Sequence, residues 1–229
     1  LDMAPAPYLL DGGGVFKTPP LILAHSKNGK GEASRRIHRW ARRYGLRGGE
    51  SERPTLLNSW EGVYFTFTEK VLHGMMKRAA DLGIELFVLD DGWFGNKHPR
   101  NSDNAGLGDW EVMKSKLPGG IPALVKSAKE AGVKFGIWIE PEMISEDSDL
   151  YREHPDWALT IPGRKPVRSR NQLVLDFSRK EVVDGIFGQI SAVLDNANIE
   201  YVKWDMNRSL MDVFSVMTKD QGRVMYDYV

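Results

Sequence analysis

Five times along this chain a short apolar run ends in acidic, amide or aromatic residues, and a helical pattern or a loop follows. Glu85-Leu-Phe-Val-Leu89 leads into Asp90-Asp91, and Val133–Ile139 leads into Glu140-Pro141-Glu142. Gln172–Leu175 leads into Asp176, Ile199–Trp204 into Asp205, and Thr55–Ser59 into Trp60 and Glu61. Between these runs the spacing predicts helices. One begins at Thr68, carries Glu69 near its positive N-terminus and ends at Gly83; a second covers Ile121–Ala131 and ends at Gly132. A third runs from Arg179 to about Asn196 behind Ser178 as its cap, and a fourth begins near 218. Near-continuous apolar strands alternating with helices predict a parallel sheet covered on both faces.

Such a sheet is either open and doubly wound or closed into a (β/α)8 barrel. No Gly-rich phosphate-binding fingerprint follows any of the runs, which weakens the dinucleotide-binding form of the open sheet. Polar residues end every strand rather than one switch point, which favours the barrel, whose chemistry sits at the C-terminal strand ends. The predicted class is therefore α/β, a partial (β/α)8 TIM barrel of about five strand–helix units. A full barrel takes about 250 residues, and Thr55–Val229 supplies five of eight strands.

The N-terminal part reads differently. Residues 1–26 hold Pro, Gly and short β-type runs, Val15–Thr18 and Leu21–Leu23, and are expected to be the end of an N-terminal β-sandwich domain. Residues 27–53 read as a linker helix and loop, with a helix over Ala33–Tyr44, and residues 54–229 as the N-terminal part of the barrel. Arg35, Arg36, Arg39, Arg42 and Arg43 make that helix basic, and a solvated face accounts for them. Lys plus Arg (31) equal Asp plus Glu (31), so charge gives no pull toward nucleic acid or membrane. The absence of Cys excludes disulfides, thiol catalysis and zinc–thiolate sites. No apolar run nears the roughly 20 residues of a membrane span, and the start lacks signal-peptide character, so a cytoplasmic location is expected. A first residue other than Met and a last residue inside a helical pattern suggest a piece of a longer chain.

The densest signal is Tyr201-Val-Lys-Trp-Asp-Met-Asn-Arg208. In an extended chain, residues two apart share a face, so Lys203, Asp205 and Asn207 stand together as cation, carboxylate and amide. Asp205 is the candidate nucleophile. The other strand ends offer Asn58, Trp60 and Glu61; Asp90, Asp91 and Trp93; Trp138, Glu140 and Glu142; and Asp176. A rim of carboxylates beside Trp suits glycoside hydrolysis or a hard metal ion such as Mg²⁺. No His falls at a strand end, which disfavours zinc and Ser-His-Asp chemistry.

Five blocks carry a resemblance: Leu57-Asn-Ser-Trp-Glu-Gly-Val-Tyr-Phe65, Val88-Leu-Asp-Asp-Gly-Trp-Phe-Gly95, Gly136-Ile-Trp-Ile-Glu-Pro-Glu-Met143, Ser169-Arg-Asn-Gln-Leu-Val-Leu-Asp176 and Tyr201–Arg208. Together and in this order they resemble the signatures of glycoside hydrolase family 36 α-galactosidases. The resemblance implies a retaining exo-enzyme that releases terminal α-linked galactose from melibiose- or raffinose-type sugars. It implies Asp205 as nucleophile, with Asp90, Asp91, Trp138, Arg170, Lys203 and Asn207 binding the sugar. It also implies that the acid/base carboxyl follows the sixth strand and so lies outside this chain, which is expected to lack turnover alone. No cofactor or metal is expected. The partners implied are α-galactoside oligosaccharides, not nucleic acid or membrane, and the full-length protein is expected to be a homo-oligomer, such as a tetramer. Three alternatives stay open at this point: an α-N-acetylgalactosaminidase of the same family, a non-catalytic galactose-binding module, and a metal-dependent barrel enzyme. Two open sheet edges also predict poor solubility of the isolated segment.

Overall fold

A computed structural model of the chain describes residues 7–229. The chain divides into two compact units, Leu10–Pro54 and the segment Thr55–Val229 with the described residues before Leu10. The break at Pro54 falls where the Gly-rich stretch gives way to the first apolar run.

The smaller unit is built on α1, Lys30–Trp40, which runs on into a π-helical turn at Ala41–Gly45. It starts three residues earlier than the spacing predicts, because Gly29 takes a left-handed φ of 88° and turns the chain into the helix. Arg35, Arg39, Arg42 and Arg43 are all exposed, in keeping with a solvated face. Glu32 accepts hydrogen bonds from Ser26 Oγ and Arg36, which hold its carboxyl down at about 2. Val15–Thr18 and Leu21–Leu23, expected as strands, are irregular in the structure. The first six residues of the segment expected to end a β-sandwich domain lie outside the described residues.

The larger unit holds the sheet. Its elements are β1 (Leu56–Asn58), α2 (Trp60–Val63), α3 (Glu69–Asp81), β2 (Leu86–Leu89), α4 (Gly120–Ala131), β3 (Lys134–Ile139), β4 (Met143–Ile144), α5 (Asp149–Glu153), β5 (Leu173–Val174), α6 (Lys180–Asp195), β6 (Tyr201–Trp204) and α7 (Val224–Asp227). The sheet is four-stranded, in the order β1-β2-β3-β6, and every pairing is parallel. Four neighbouring strands in chain order, joined by helical crossovers, are half of a (β/α)8 barrel. The expected count of five is corrected to four. The apolar run 172–175 is not a barrel strand; β5 pairs antiparallel with β4 in a separate ribbon that lies in the long connection between β3 and α6.

Helical punctuation is where the residues place it. Thr68 Oγ1 caps α3 by accepting from Val71 N at 3.4 Å, and Gly132 closes α4 in the left-handed region at φ 86°. The helices bury stripes at spacings of three and four: Leu72, Met76 and Ala79 on α3; Ile121, Leu124 and Ala128 on α4; Val182, Ile186 and Ile190 on α6. These stripes meet Phe87, Leu89, Phe135, Ile137 and Ile139, which belong to the same core. At α6 the expectation was one residue off. Arg179 is the N-cap, and the Ser178 hydroxyl instead donates to Asp176 Oδ1.

The opposite face of the sheet carries the site. Register aligns Asn58, Val88, Gly136 and Tyr201 in one row, and Trp138 with Lys203 two residues farther along. Leu56, Asn58, Val88, Tyr201 and Lys203 line a concavity of about 390 Å³ on that face. Gly136 permits the tight approach of β6: a Cβ there would lie 3.0 Å from Tyr201 Cβ, Cδ1 and backbone O. Gly136→Val is expected to push β6 away and cost about 1–3 kcal/mol, read as a lower thermal midpoint of the full-length chain. β1 and β6 are the two edges of this sheet, with Leu56, Tyr201, Val202 and Trp204 exposed along them. Among the described residues, no helix is long and apolar enough to cross a membrane.

Candidate active site

The polar residues at the ends of β1, β2, β3 and β6 converge on two carboxylates. Asp90, just past β2, is buried, and its backbone N–H donates to Ser59 Oγ at 3.0 Å. Its Oδ2 accepts Asn58 Nδ2 at 2.5 Å from β1 and Lys203 Nζ at 2.8 Å from β6. Its Oδ1 accepts the N–H of Asp91 at 2.9 Å. Asp90 is thereby locked across the sheet, while Lys203 stays partly exposed toward the concavity.

Asp205 follows the last residue of β6. Its backbone N–H donates to Ile139 O at 2.8 Å, continuing the β3–β6 ladder by one rung. Its Oδ2 accepts the indole Nε1–H of Trp138 at 2.9 Å and Asn207 Nδ2 at 3.1 Å, and its Oδ1 accepts Met206 N at 3.0 Å. Lys203 Nζ stands 3.8 Å from Oδ2. Partial burial raises the pKa of this carboxyl, but the bonds from Trp138 and Asn207 and the Lys203 charge outweigh burial, so it lies below the ordinary range. The group is an ionised, partly exposed carboxylate held in one orientation. Lys203 thus contacts both acids, as cation to Asp90 at 2.8 Å and to Asp205 at 3.8 Å.

Trp138 enters this site by its edge rather than its face. The ring is only 1% exposed, so it is not an open wall for a sugar. Phe94 stacks on it at 6.0 Å with 9° between the planes, and Trp93 Nε1 donates to its backbone carbonyl at 3.0 Å. These contacts aim the indole N–H at Asp205. Trp138→Phe keeps the ring and removes the donor. The Asp205 pKa is then expected to rise back toward the ordinary value, read from the carboxyl's ¹³C shift across a pH titration. An unmoved titration would remove the assigned role of the indole.

Asp91 and Arg170 depart from the expected cluster. Both oxygens of Asp91 are taken by Arg100, through Nε at 3.0 and 3.2 Å and Nη2 at 2.9 Å. Arg100 is fully buried, beneath Phe65 and Phe94, and burial pushes the Asp91 carboxyl upward against the pull of that guanidinium. Arg170 sits in a left-handed turn with Asn171 (φ 52° and 58°) and pairs with Asp103 at 3.0 Å. Asp103 also lies 3.4 Å from Arg100, so one chain of charges runs Asp91–Arg100–Asp103–Arg170 beside the Asp90–Lys203–Asp205 group. Nothing in the sequence pointed to Arg100, which lies in an irregular loop without periodicity.

The remaining rim acids have separate partners. Glu140 accepts Asn207 N at 2.7 Å and Gln172 Nε2 at 3.0 Å; Glu142 accepts Trp204 Nε1 at 3.0 Å. Burial raises the pKa of both. Asp176 is buried and takes the Ser178 hydroxyl. Among the described residues no group of three or more His, Cys, Asp and Glu side chains is arranged to hold a metal ion.

Fold and rim together define a segment of a (β/α)8-barrel protein with an acidic, tryptophan-braced site at its C-terminal strand ends. The chain belongs to the melibiase family, whose model matches residues 15–229. It is 53% identical over 97% of its length to the bifunctional alpha-galactosidase/sucrose kinase AgaSK of Mediterraneibacter gnavus, of which it covers 23%. It is 48% identical over 91% of its length to alpha-galactosidase AgaA of Geobacillus stearothermophilus, of which it covers 28%. Among solved structures, it is similar to a variant of that AgaA bound to 1-deoxygalactonojirimycin, with a TM-score of 0.82 and 46% identity over 86% of this chain and 27% of that one. It is similar also to the galactosidase domain of AgaSK, with a TM-score of 0.78 and 54% identity over 86% of this chain and 27% of that one. The chain thus spans less than a third of the length of these relatives.

Proposed function

We propose that this chain is the first half of the catalytic barrel of a retaining exo-α-galactosidase, carrying the nucleophile but not the acid/base. The observation that carries this reading is the setting of Asp205: an ionised carboxylate at a strand end, with one oxygen fixed by Trp138 and Asn207 and a lysine 3.8 Å away. Such a group attacks the anomeric carbon of a bound galactoside to give a galactosyl ester on Asp205, as the leaving oxygen takes a proton from a second carboxyl. Water then reverses the step with overall retention. Asp90, locked by Asn58 and Lys203, accepts hydrogen bonds from paired sugar hydroxyls, and Lys203 donates to a hydroxyl between the two acids. Asp91 and Arg170 contribute indirectly, through the Arg100–Asp103 charge chain that braces the loop after β2.

The substrate class follows from the relatives. The AgaA structures include complexes with raffinose and with stachyose, and we extend that class, terminal α-galactosyl oligosaccharides, to the full-length protein. We also carry forward a homo-oligomeric full-length enzyme.

The test is trapping. The full-length chain is incubated with 2-fluoro-galactosyl fluoride and its peptides are mapped by mass spectrometry. A galactosyl adduct on Asp205 is expected. An adduct on another residue, or none on enzyme that remains active toward aryl galactosides, would remove the assignment.

A further inference from the structure

Glu140 has a setting that the reaction as described does not use. It is fully buried, yet among the described residues no lysine or arginine forms an ion pair with it. Its Oε1 takes two donors, Asn207 N at 2.7 Å and Gln172 Nε2 at 3.0 Å, and its Oε2 has no hydrogen-bond partner among the described residues.

The placement explains the first of those bonds. Between β3 and β6, Asp205 N donates to Ile139 O, the last backbone rung of the ladder. In a parallel pair the next rung falls two residues along, from Asn207 N. Residue 141 is Pro, and the chain turns away there. The Glu140 side chain supplies the acceptor that the backbone does not, so the ladder gains one more rung made by a carboxyl oxygen. That rung fixes the backbone of Asn207, whose side-chain Nδ2 holds Asp205 Oδ2. Gln172 anchors the other side, with its backbone carbonyl bonded to Arg208, the residue after Asn207. Glu140 therefore sits at a node joining the ends of β3 and β6 with the start of β5.

We propose that Glu140 is a positioning residue for the reaction: it acts through Asn207 to hold the Asp205 carboxylate in the orientation for attack, and it does so as a neutral carboxylic acid. The proposal rests on the reading of Asp205 as nucleophile. Burial without an ion-pair partner fits the neutral form: its upward pull on the pKa outweighs the bonds from Asn207 and Gln172 and the more distant Arg100 charge.

Two substitutions in the full-length chain separate this from a structural role. Glu140→Gln preserves shape and the acceptor oxygen and mimics the neutral acid. Glu140→Asp keeps a carboxyl but withdraws the acceptor by one methylene. kcat and KM are measured on an aryl α-galactoside, and labelling by 2-fluoro-galactosyl fluoride gives both the number of competent sites and the rate at which they react. For Glu140→Asp, kcat is expected to fall about 10- to 100-fold with KM little changed and labelling slower but still complete. Glu140→Gln is expected to stay near the unsubstituted rate. Three results overturn the proposal: wild-type kcat in Glu140→Asp, a loss of kcat matched by loss of labelled sites, or an equal defect in Glu140→Gln. Labelling of the unsubstituted enzyme at a residue other than Asp205 instead overturns the parent reading, and it is seen before any variant is compared. Because labelling counts only folded sites, partial misfolding of the Asp variant does not hide the outcome.

Discussion

Asp205→Ala in the full-length chain is expected to lower kcat toward α-galactosides by on the order of 10⁴- to 10⁶-fold, the range found when a covalent nucleophile is deleted. No neighbour replaces it. Asp90 is spanned by Asn58 and Lys203, Asp91 is closed by Arg100, and Glu140 is buried behind Asn207. The deletion also leaves a space beside Trp138 and Lys203 that a small external anion can enter. With azide present, and with a substrate whose leaving group needs no proton, turnover is expected to return in part and to yield β-galactosyl azide. That product has the inverted configuration, because the anion attacks from the side the carboxylate had occupied. Rescue that gives the α-anomer, or an Asp205→Ala enzyme within about tenfold of the wild type, would end the reading of Asp205 as nucleophile.

The second large effect concerns stability. Arg100→Met removes a guanidinium that makes three hydrogen bonds to Asp91 and also donates to Ala105 O at 3.2 Å. Methionine fills much of the volume between Phe65 and Phe94, so packing loss is small. What remains is a buried carboxylate stripped of its hydrogen-bonded counter-ion, expected to cost about 3–5 kcal/mol and to lower the thermal midpoint of the full-length chain by roughly 10 °C. Adding Asp91→Asn removes the stranded charge and is expected to recover a substantial part of that loss. A double variant no more stable than Arg100→Met would show that the penalty came from packing or from the loop around Ala105 rather than from the unpaired acid.

Strong local signals account for what could be read from the residues. β2, β3 and β6 are apolar runs bounded by a glycine or by charges, and α3 and α4 carry both a periodic buried stripe and a cap or stop residue. The row Lys203, Asp205, Asn207 was visible because a strand has a period of two, and the structure does bring these residues together with Asp90 and Trp138. The misreading at 172–175 has a physical cause. Leu173-Val174-Leu175 is as apolar as a parallel strand, and its real partner, Met143–Ile144, is too short to register as a run. The length of the connection from Glu140 to Lys180 was the signal available, since a barrel loop that long usually carries structure of its own. The expected strands at 15–18 and 21–23 are irregular although their composition suits a strand, because β-propensity is set by context more than by composition. Trp138 was expected to line a pocket; neither the strand period nor the resemblance could show that its ring is buried against Phe94 with its N–H on Asp205. Arg100 and the partnership of Glu140 with Asn207 depend on loop paths that no periodicity encodes.

The order β1-β2-β3-β6 repeats the order in which the strands leave the ribosome. Each new strand finds its partner already made, and no earlier pair has to open to admit it, so the sheet can assemble while translation continues. The growing chain then passes through a stage in which Asp205 is already in place on an edge strand whose Tyr201, Val202 and Trp204 still face water. Protein made at that stage displays an unpaired, aromatic-rich ladder. A chain halted at that stage is expected to self-associate through this edge, read as concentration-dependent sedimentation of residues 1–229.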